Sequence, residues 1–423
     1  MDETGGESRR PDEDRRGQQH DPTVRDRSEG QPRLPRKDDD GCELGGERRA
    51  PSRRGVLRGG RLAAAGVAVM VLLAGGVALV VNGDGGGDDD TASANDDGRS
   101  ADAAAWEQIV PGGECQCSDG SQFSFWVREA NPEKVVFFFQ DGGNCFSAET
   151  CAPDSGSYTT TITEGPDREG MFDFADERNP FADYSVVFVP YCTGDVHIGN
   201  ATKEYAPGLT IQHKGYVNGT AALDHLAATF PGATDVVVMG ESAGSIAAPL
   251  YAGLVSDRLP DARITVVANG SGGTPDLPDD LRGRLAAAWG LGDTMPAWPE
   301  NAGLTAEQWA SDSGLFVQSG RHDPGIVFAR VDYAYDARQQ LGFSRFGVPA
   351  EDLLSRIDAN ETRVEGAGVN LLSYIAAGDG HTALSDRAFY TETIDGETLV
   401  DWVTRLVGGE PVADVHCVEC AAG

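Results

Sequence analysis

The amino-acid sequence predicts an α/β fold with a mostly parallel central sheet and flanking helices. Three observations support this class. Continuous apolar runs of five or six residues recur along the chain, turn-forming residues bound them, and helix-like segments separate them. Runs of this kind are typical of strands that are buried on both faces. Strands that alternate with helices predict a parallel sheet with helices on both sides.

Four apolar runs define the core of the predicted sheet, and they cover residues 134–139, 185–190, 235–239 and 264–268. Helical periodicity covers residues 212–230, between the second and third runs. Residues 243–258, after the third run, are first small and apolar and then amphipathic. Two later segments, 326–335 and 370–376, are further strand candidates.

The chain is divided into segments of different composition. Residues 1–61 contain 15 basic and 14 acidic side chains and no aromatic ones, which predicts a disordered tail because little apolar surface can be buried. Residues 62–82 begin with an uncharged apolar run of 20 residues, long enough to cross a bilayer as a transmembrane helix. Residues 83–105 are rich in Gly, Asp, Ser and Ala and predict a flexible linker. Residues 106–423 have the composition of one globular domain.

Charges on either side of the apolar run predict its orientation. Six arginines precede it between residues 48 and 61, and four aspartates follow it between residues 84 and 90. Because positive charge stays on the cytoplasmic side, the N-terminus is expected in the cytoplasm and the globular domain outside. A competing prediction is a twin-arginine export signal at residues 52–58, with cleavage at residues 92–94 and secretion. The length of the apolar run favours an uncleaved membrane anchor.

The formal net charge of −33, from 67 acidic and 34 basic side chains, excludes nucleic acid as a main partner because phosphate binding requires basic patches. Most of this charge belongs to residues 106–423, which contain 46 acidic and 18 basic side chains. The acidity also disfavours polyanionic substrates unless arginines lie locally in the pocket.

The segment Gly240-Glu241-Ser242-Ala243-Gly244 fits the pattern G-x-S-x-G. It directly follows the third apolar run and precedes a helix-like segment of small residues, which is the strand–turn–helix context of a nucleophile elbow. Glycines leave room for the sharp turn, so that the serine hydroxyl projects above the sheet. Ser242 is therefore the predicted nucleophile. The alternative is a glycine-rich turn before an ordinary helix.

A serine nucleophile requires a base and an acid. His381 follows the last predicted strand and lies late in the chain, where α/β-hydrolases place the catalytic histidine. The acid should lie between the two, at the end of a late strand, because its carboxylate orients the imidazole. Asp336, directly after the 326–335 segment, is the predicted acid, and Asp332 is the alternative.

The tetrahedral intermediate of acyl transfer needs hydrogen-bond donors for its oxyanion. The backbone N–H of Ala243, next to the nucleophile, is one predicted donor. The loop after the first apolar run is the expected source of the others, and the backbone amides of Gly142 and Gly143 are predicted there. The alternative for this loop is a plain glycine turn.

Three blocks of the chain resemble the pectin acetylesterase family of Notum-like carboxylesterases. Residues 138–146 read F-F-Q-D-G-G-N-C-F and, with Cys151 after them, are similar to the family block F-x-G-G-G-x-C…C. Residues 188–196 read F-V-P-Y-C-T-G-D-V and are similar to P-Y-C-x-x-D. Residues 240–244 match the G-x-S-A-G elbow. The chain departs from the first block at Asp141, which stands where the family has the first of three glycines.

This resemblance implies an α/β-hydrolase fold and a metal-independent serine carboxylesterase without a cofactor. It assigns the nucleophile to Ser242, the histidine to His381 and the acid to Asp336. It also assigns the early oxyanion-loop amides to Gly142 and Gly143. Members of the family act on acetylated plant cell-wall pectin or on a lipid-modified signalling protein, so the resemblance leaves the substrate open.

Seven of the eight cysteines lie after residue 82, and disulfides are expected outside the cytoplasm. One predicted disulfide joins the two cysteines that follow the first apolar run and braces the oxyanion loop. Others are predicted to join a C-x-C segment and a C-x-x-C segment at the two ends of the domain. The six residues concerned are Cys145, Cys151, Cys115, Cys117, Cys417 and Cys420. Because seven is odd, one cysteine is expected to be free or intermolecular, with Cys42 in the cytoplasm. A zinc site formed by the cysteines of the C-x-C and C-x-x-C segments is the disfavoured alternative.

The predicted function is therefore hydrolysis of O-acyl esters through an acyl-enzyme, by a membrane-anchored serine carboxylesterase outside the cytoplasm. An acetylated carbohydrate, or an acylated lipid or protein, is the expected substrate. The alternative outside enzymes is a surface-binding module that has lost catalysis, and the presence of both Ser242 and His381 disfavours it. Residues 276–320, which include Trp289, Trp298 and Trp309, are predicted to form an insertion or lid near the pocket. The alternative is that these three aromatic residues belong to the core.

Overall fold

The computed structural model of the 423-residue chain describes Cys42 and residues 105–162, 165–274, 277–349, 352–418 and 420. The strands of these segments are β1 Trp106–Ile109, β2 Phe125–Arg128, β3 Asn131–Phe139, β4 Tyr184–Val189, β5 Ala201–Ala206, β6 Leu209–His213, β7 Asp235–Glu241, β8 Arg263–Asn269, β9 Val327–Tyr333, β10 Leu371–Ala376, β11 Thr393–Ile394, β12 Glu397–Thr398 and β13 Val415–His416. The α-helices are α1 Gly215–Thr229, α2 Ala243–Arg258, α3 Asp279–Trp289, α4 Ala306–Trp309, α5 Asp312–His322, α6 Ala337–Arg345, α7 Leu353–Gly366, α8 Ala388–Thr391 and α9 Leu399–Val407.

One large sheet organises the described residues. Its nine strands lie in the order β1-β2-β4-β3-β7-β8-β9-β10-β13. From β4 to β13 every neighbouring pair is parallel, whereas β1, β2 and β4 pair antiparallel at one edge. The predicted α/β class with a mostly parallel sheet is therefore confirmed.

The central strands are apolar on both faces because helices cover both. In β3, Val135, Phe137 and Phe139 belong to the core cluster on one face, which also contains residues of α1, α2 and α5. Val136 and Phe138 alternate with them and belong to the opposite cluster, which contains residues of α8 and α9. A strand buried on both faces reads as a continuous apolar run, which is why these strands were visible in the sequence.

The predicted central elements lie close to the observed ones. The four apolar runs at residues 134–139, 185–190, 235–239 and 264–268 correspond to β3, β4, β7 and β8. The two later candidates at 326–335 and 370–376 correspond to β9 and β10, and residues 243–258 form α2. The patterns did not reveal the short edge strands β1, β2 and β13 or the β5–β6 hairpin. Residues of β5 are mostly exposed and polar, so they show neither an apolar run nor alternation.

The segment 276–320 contains α3, α4 and most of α5. Its three tryptophans have different environments. Trp289 lines the main pocket, and its Nε1 donates a hydrogen bond of 2.8 Å to the Cys145 carbonyl. Trp298 stacks on His322 with ring centroids 4.1 Å apart, and Trp309 is fully buried in the core. Of these three tryptophans, only Trp289 therefore lines the pocket near which the insertion was predicted to lie.

All eight cysteines are paired, in the disulfides Cys42–Cys115, Cys117–Cys192, Cys145–Cys151 and Cys417–Cys420. The structure forms the predicted Cys145–Cys151 bond. It does not join Cys115 or Cys117 to the C-terminal cysteines, because those cysteines follow β1 and β13, which lie at opposite edges of the sheet. Cys192, which follows β4, pairs with Cys117 instead.

The Cys42–Cys115 bond also corrects the expectation that one of the seven later cysteines is free or intermolecular. The predicted tail 1–61, apart from Cys42, the predicted span 62–82 and nearly all of the predicted linker 83–105 lie outside the described residues. In the part of the chain that the structure describes, no helix is long and apolar enough to cross a membrane.

Candidate active site

The turn between β7 and α2 has the geometry of a nucleophile elbow. Ser242 adopts φ 48° and ψ −112°, a left-handed backbone conformation that is strained for a residue with a side chain. The flanking glycines permit this turn: a Cβ on Gly240 would lie 2.3 Å from the Gly244 carbonyl oxygen, and one on Gly244 would lie 2.1 Å from the Phe139 carbonyl oxygen. The Ser242 N–H donates to the Asn269 carbonyl at 2.7 Å, which ties the elbow to β8.

His381 follows β10 and faces the same pocket as Ser242. Its Nδ1 lies 2.7 Å from Asp336 Oδ2. Because a carboxylate only accepts hydrogen bonds, Nδ1 carries the proton and donates it, which leaves Nε2 as the basic nitrogen of the neutral ring. Asp336 is fully buried, while the His381 side chain is 21% exposed. The pair thus has a buried orienting acid and an accessible base.

The start of α6 holds the carboxylate of Asp336. Its Oδ1 accepts hydrogen bonds from the backbone N–H groups of Arg338 (2.8 Å) and Gln339 (2.9 Å), as an N-cap residue does. Its Oδ2 accepts from the Gln339 side chain at 2.9 Å as well as from His381. Asp332, the alternative acid, is also buried but has no hydrogen bond to His381 among the described contacts. The geometry assigns the role of His381 partner to Asp336.

The loop after β3 reaches the pocket opposite the elbow. Asp141, Gly142 and Gly143 line the pocket together with Ser242, Ala243 and His381. Neither glycine can carry a side chain here: a Cβ on Gly142 would lie 2.0 Å from the Tyr191 ring, and one on Gly143, at φ 75°, would lie 2.2 Å from the Ser157 carbonyl oxygen. The loop is therefore packed closely against Tyr191 and Ser157 while it lines the pocket, where oxyanion donors are needed.

Residues after β4 support this loop from behind. His197 Nε2 lies 2.8 Å from the Gln140 carbonyl oxygen, and the Tyr191 N–H donates to Gln140 Oε1 at 3.1 Å. Burial lowers the pKa of His197 to about 4, so the ring is neutral at physiological pH and donates from Nε2 to that carbonyl. Asp195 accepts hydrogen bonds from Thr193 Oγ1 and the Gly215 N–H, and burial raises its pKa to about 6. No sequence pattern marks His197 as a site residue, and its role is visible only through the Gln140 contact.

The pocket has a volume of about 670 Å³. One part of its wall is apolar and contains Ile246, Leu277, Leu285 and Trp289. Phe146, from the Cys145–Cys151 loop, stacks on Phe346, next to the end of α6, with ring centroids 4.9 Å apart. Both rings line the pocket, so its wall is built by the insertion, the disulfide loop and α6.

Charged groups at the pocket include Asp141 on the oxyanion loop and Arg338 and Arg345 on α6. Partial desolvation of its carboxyl group raises the pKa of Asp141, and the nearby His381 and Arg338 act in the opposite direction. Glu241, directly before the nucleophile, is 3% exposed, and burial raises its pKa to about 7, limited by its hydrogen bonds to Ser385. The pocket thus contains the local arginines that the overall acidity of the domain did not predict.

One group of metal-type side chains occurs among the described residues, formed by Cys145, Cys151 and His213. Zinc requires deprotonated thiolates, and both sulfurs are used in a disulfide. His213 is itself occupied, because its ring nitrogens lie 2.9 Å from the Thr193 carbonyl oxygen and from the Tyr205 hydroxyl. These residues do not fit a zinc site.

The structure brings every sequence-predicted site residue into one pocket or directly behind it. Ser242, His381, Gly142, Gly143 and Ala243 line the pocket, and Asp336 lies under His381. A mostly parallel sheet with a serine elbow, a buried acid and a late histidine, in this chain order, defines the α/β-hydrolase class.

The comparisons with known proteins agree with this class. A family model described as pectinacetylesterase matches residues 108–274. The palmitoleoyl-protein carboxylesterase notum2 of Xenopus laevis is 32% identical over 94 residues, which are 21% of this chain and 19% of that protein. The inactive palmitoleoyl-protein carboxylesterase notum1b of Danio rerio is 30% identical over 118 residues, which are 26% of this chain and 82% of that protein. The chain belongs to this pectin acetylesterase family, which includes the Notum proteins.

A solved structure shows the same fold. The structure of the Wnt deacylase Notum from Drosophila superposes with a TM-score of 0.56 at 16% sequence identity, and the match covers 73% of this chain and 95% of that one. Sequence alignment, in contrast, spans only about a fifth of the Xenopus relative. Family and fold are thereby established, and the activity is inferred from the site.

Proposed function

We propose that the protein is a serine carboxylesterase that hydrolyses O-acyl esters. The observation that carries this proposal is the placement of Ser242, on a strained strand-to-helix turn, in the same pocket as a His381 ring that is hydrogen-bonded to buried Asp336. Nucleophile, base and orienting acid are the three groups that acyl transfer by serine requires. A binding module that had lost catalysis would have no need to keep all three.

In the proposed mechanism, Ser242 Oγ attacks the ester carbonyl while His381 Nε2 accepts its proton. The Ala243, Gly142 and Gly143 N–H groups stabilise the oxyanion of the tetrahedral intermediate. His381 then gives its proton to the leaving alkoxide, and an acyl-enzyme remains on Ser242. A water molecule, deprotonated by His381, releases the acid and restores the serine. Asp336 stays ionised throughout and stabilises the imidazolium.

Two substrate classes follow from the family. The pectinacetylesterase model suggests an acetylated carbohydrate, and the palmitoleoyl-protein carboxylesterases suggest an acylated protein. The apolar wall formed by Ile246, Leu277, Leu285 and Trp289 favours the second class, since an acetyl group needs little of a 670 Å³ pocket. A long acyl chain would bury this wall, at about 0.8 kcal/mol per methylene.

We further propose that the catalytic domain works outside the cytoplasm. Three disulfides within residues 117–420 support an oxidising compartment. A membrane anchor at residues 62–82 and a cleaved export signal are the two ways of reaching it that the sequence suggests. The Cys42–Cys115 disulfide provides a test of both routes. An uncleaved anchor would leave Cys42 in the cytoplasm, and cleavage of an export signal would remove Cys42 from the mature protein.

A fluorophosphonate probe with peptide mapping tests the nucleophile. We expect label on Ser242 of the folded wild type, and none on Ser242→Ala. The p-nitrophenyl esters of acetate, octanoate and palmitate then separate the substrate classes: kcat/KM that rises with chain length indicates a deacylase of long chains, whereas a maximum at acetate indicates a carbohydrate deacetylase. Wild-type activity no greater than that of Ser242→Ala would leave the binding module as the remaining explanation.

A further inference from the structure

A second buried carboxylate lies next to the candidate triad acid. Asp332, near the end of β9, is 0% exposed. Its Oδ1 accepts a hydrogen bond of 2.8 Å from the Gly272 N–H and one of 3.1 Å from Gln339 Nε2. Asp332 thus contacts neither His381 nor the pocket, yet it shares the Gln339 side chain with Asp336.

The Gln339 amide bridges the two carboxylates. Its Nε2 donates to Asp332 Oδ1 at 3.1 Å and to Asp336 Oδ2 at 2.9 Å, while its Oε1 accepts from the Gly273 N–H at 3.0 Å. Carboxylates only accept hydrogen bonds, and a backbone N–H only donates. One orientation of the amide therefore satisfies all three neighbours, and the reversed orientation satisfies none of them.

Asp336 depends on this orientation for its own position. Its Oδ2 accepts from both Gln339 Nε2 and His381 Nδ1. A reversed amide would direct Oε1 at this oxygen, and repulsion between the two would move the carboxylate away from His381. Without Asp332, the reversed amide faces one carboxylate instead of two and becomes easier to adopt.

The same unit fixes part of the pocket wall. Gly272 and Gly273 belong to the turn after β8, whose neighbours Ser271 and Thr274 line the pocket. Asp332 and Gln339 hold two consecutive N–H groups of this turn, and Asn360 Nδ2 donates to the carbonyls of Gly272 and Thr274 at 2.7 and 2.9 Å.

We propose that Gln339 and Asp332 are positioning residues for catalysis, in which Asp332 acts through Gln339 by holding its amide in the orientation that fixes Asp336 against His381. The proposal rests on the proposed esterase function. The proposal gives each of the two candidate acids a separate role. Asp336 orients His381, and Asp332, four residues earlier in the chain, orients Asp336 through Gln339.

A double-mutant cycle on the full chain tests the route from Asp332 to Asp336. The variants are Asp332→Leu, Gln339→Leu and the double variant, and kcat is expressed per active site counted by fluorophosphonate labelling of Ser242. Each single variant is expected to lower kcat on the order of 10-fold to 100-fold, because a displaced base costs rate. KM is expected to stay within a factor of about two in Asp332→Leu, whereas Gln339→Leu also changes the pocket wall, since Gln339 lines it. The double variant is expected to be no slower than Gln339→Leu alone.

Two further variants separate positioning from stability. Asp332→Asn keeps an oxygen that accepts from Gly272 and Gln339, so it is expected to restore kcat to within a few-fold of wild type. Leu406→Ala, in the buried face of α9 remote from the pocket, is the control for general destabilisation. It is expected to lower the melting temperature and leave kcat per active site unchanged.

Several results would overturn the proposal. Multiplicative losses in the double variant would show that Asp332 acts independently of Gln339. Wild-type kcat in Gln339→Leu would exclude the positioning role, even if Asp332→Leu does not fold. An inactive wild type, equal to Ser242→Ala, would instead refute the proposed function itself.

Discussion

Glu241 and Ser385 connect the two halves of the candidate active site. Glu241 immediately precedes the proposed nucleophile, and its Oε1 accepts hydrogen bonds of 3.0 Å from the backbone N–H groups of Leu384 and Ser385. Its Oε2 accepts a further bond from the Ser385 hydroxyl. These residues follow His381 by three and four positions, so one side chain ties the loop of the base to the strand of the nucleophile.

Protonation of Glu241 should make the stability of the protein depend on pH. Burial raises its pKa from 4.5 to about 7 in the folded state. Between pH 4.5 and 7 the unfolded chain loses this proton while the folded protein keeps it, so stability falls as pH rises through this range. A shift of this size corresponds to about 3 kcal/mol. Glu241→Gln should abolish this part of the slope, as measured by urea unfolding at pH 5, 6, 7 and 8.

Glu107→Gln, on the exposed face of β1, is the matched control for this measurement. It should leave the pH dependence of the unfolding free energy as in wild type. If Glu241→Gln and wild type lose stability in parallel from pH 5 to 8, Glu241 does not hold a proton in the folded state.

The tautomer of His381 should depend on Asp336. Asp336→Asn preserves the shape of the side chain, but its amide can donate a hydrogen bond to Nδ1 and so favour the tautomer with the proton on Nε2. That tautomer cannot accept the serine proton, and a loss of kcat on the order of 10³-fold to 10⁴-fold is expected. Steady-state kinetics on a p-nitrophenyl ester measures it. Asp323→Asn, which precedes β9 at the far end of the strand, should retain wild-type kcat.

A loss of less than about tenfold in Asp336→Asn would contradict the assignment of Asp336 as the orienting acid. The same experiment with Asp332→Asn distinguishes the two aspartates that the sequence left in competition.

The central sheet and the nucleophile were predictable from the sequence because their physical causes are local. The strand before Ser242 contains a continuous apolar run at residues 236–239, and the sharp turn requires Gly240 and Gly244 at fixed positions. Other features depend on tertiary contacts. In the sequence, Gln339 looks like any other polar residue of a helix. Its amide is shared between Asp332 and Asp336, and this becomes visible only when β9 and the turn at Gly272 lie next to α6.

The disulfides were partly predictable for the same reason. Cys145 and Cys151 lie six residues apart, so their pairing is decided within one loop. Cys117 and Cys192 are separated by 75 residues, and their pairing depends on the position of β4 beside β2 in the sheet. Strand order is not encoded in any local pattern, and the prediction that joined the two ends of the domain was wrong on that account.

The Cys145–Cys151 disulfide should support catalysis as well as stability. It closes the loop that carries Phe146, and the Cys145 N–H and carbonyl are bonded to Gly194 and Trp289. The double variant Cys145→Ser/Cys151→Ser should lose about 2 kcal/mol of stability. Release of the loop next to Gly142 and Gly143 should also lower kcat/KM by about tenfold. Urea unfolding and ester kinetics measure the two effects.

The matched control is Cys417→Ser/Cys420→Ser, which opens another short loop, with a sequence separation of 3 instead of 6, at the far edge of the sheet. It should lower stability without changing kcat/KM. Equal kinetics in the two double variants would show that the Cys145–Cys151 bond has no role at the pocket.

The Cys42–Cys115 disulfide provides a test of the two proposed routes out of the cytoplasm. A bond between these residues requires both to lie in the same oxidising compartment, while residues 62–82 lie between them in sequence. We expect non-reducing peptide mapping of the mature protein to yield one cross-linked peptide pair that contains Cys42 and Cys115. Cys115→Ser should then release a free Cys42 thiol to an impermeant maleimide applied outside the cell. A free Cys115 in wild type, with Cys42 protected until the membrane is opened, would restore the single-span anchor. A mature protein that begins after residue 94 would restore the cleaved export signal.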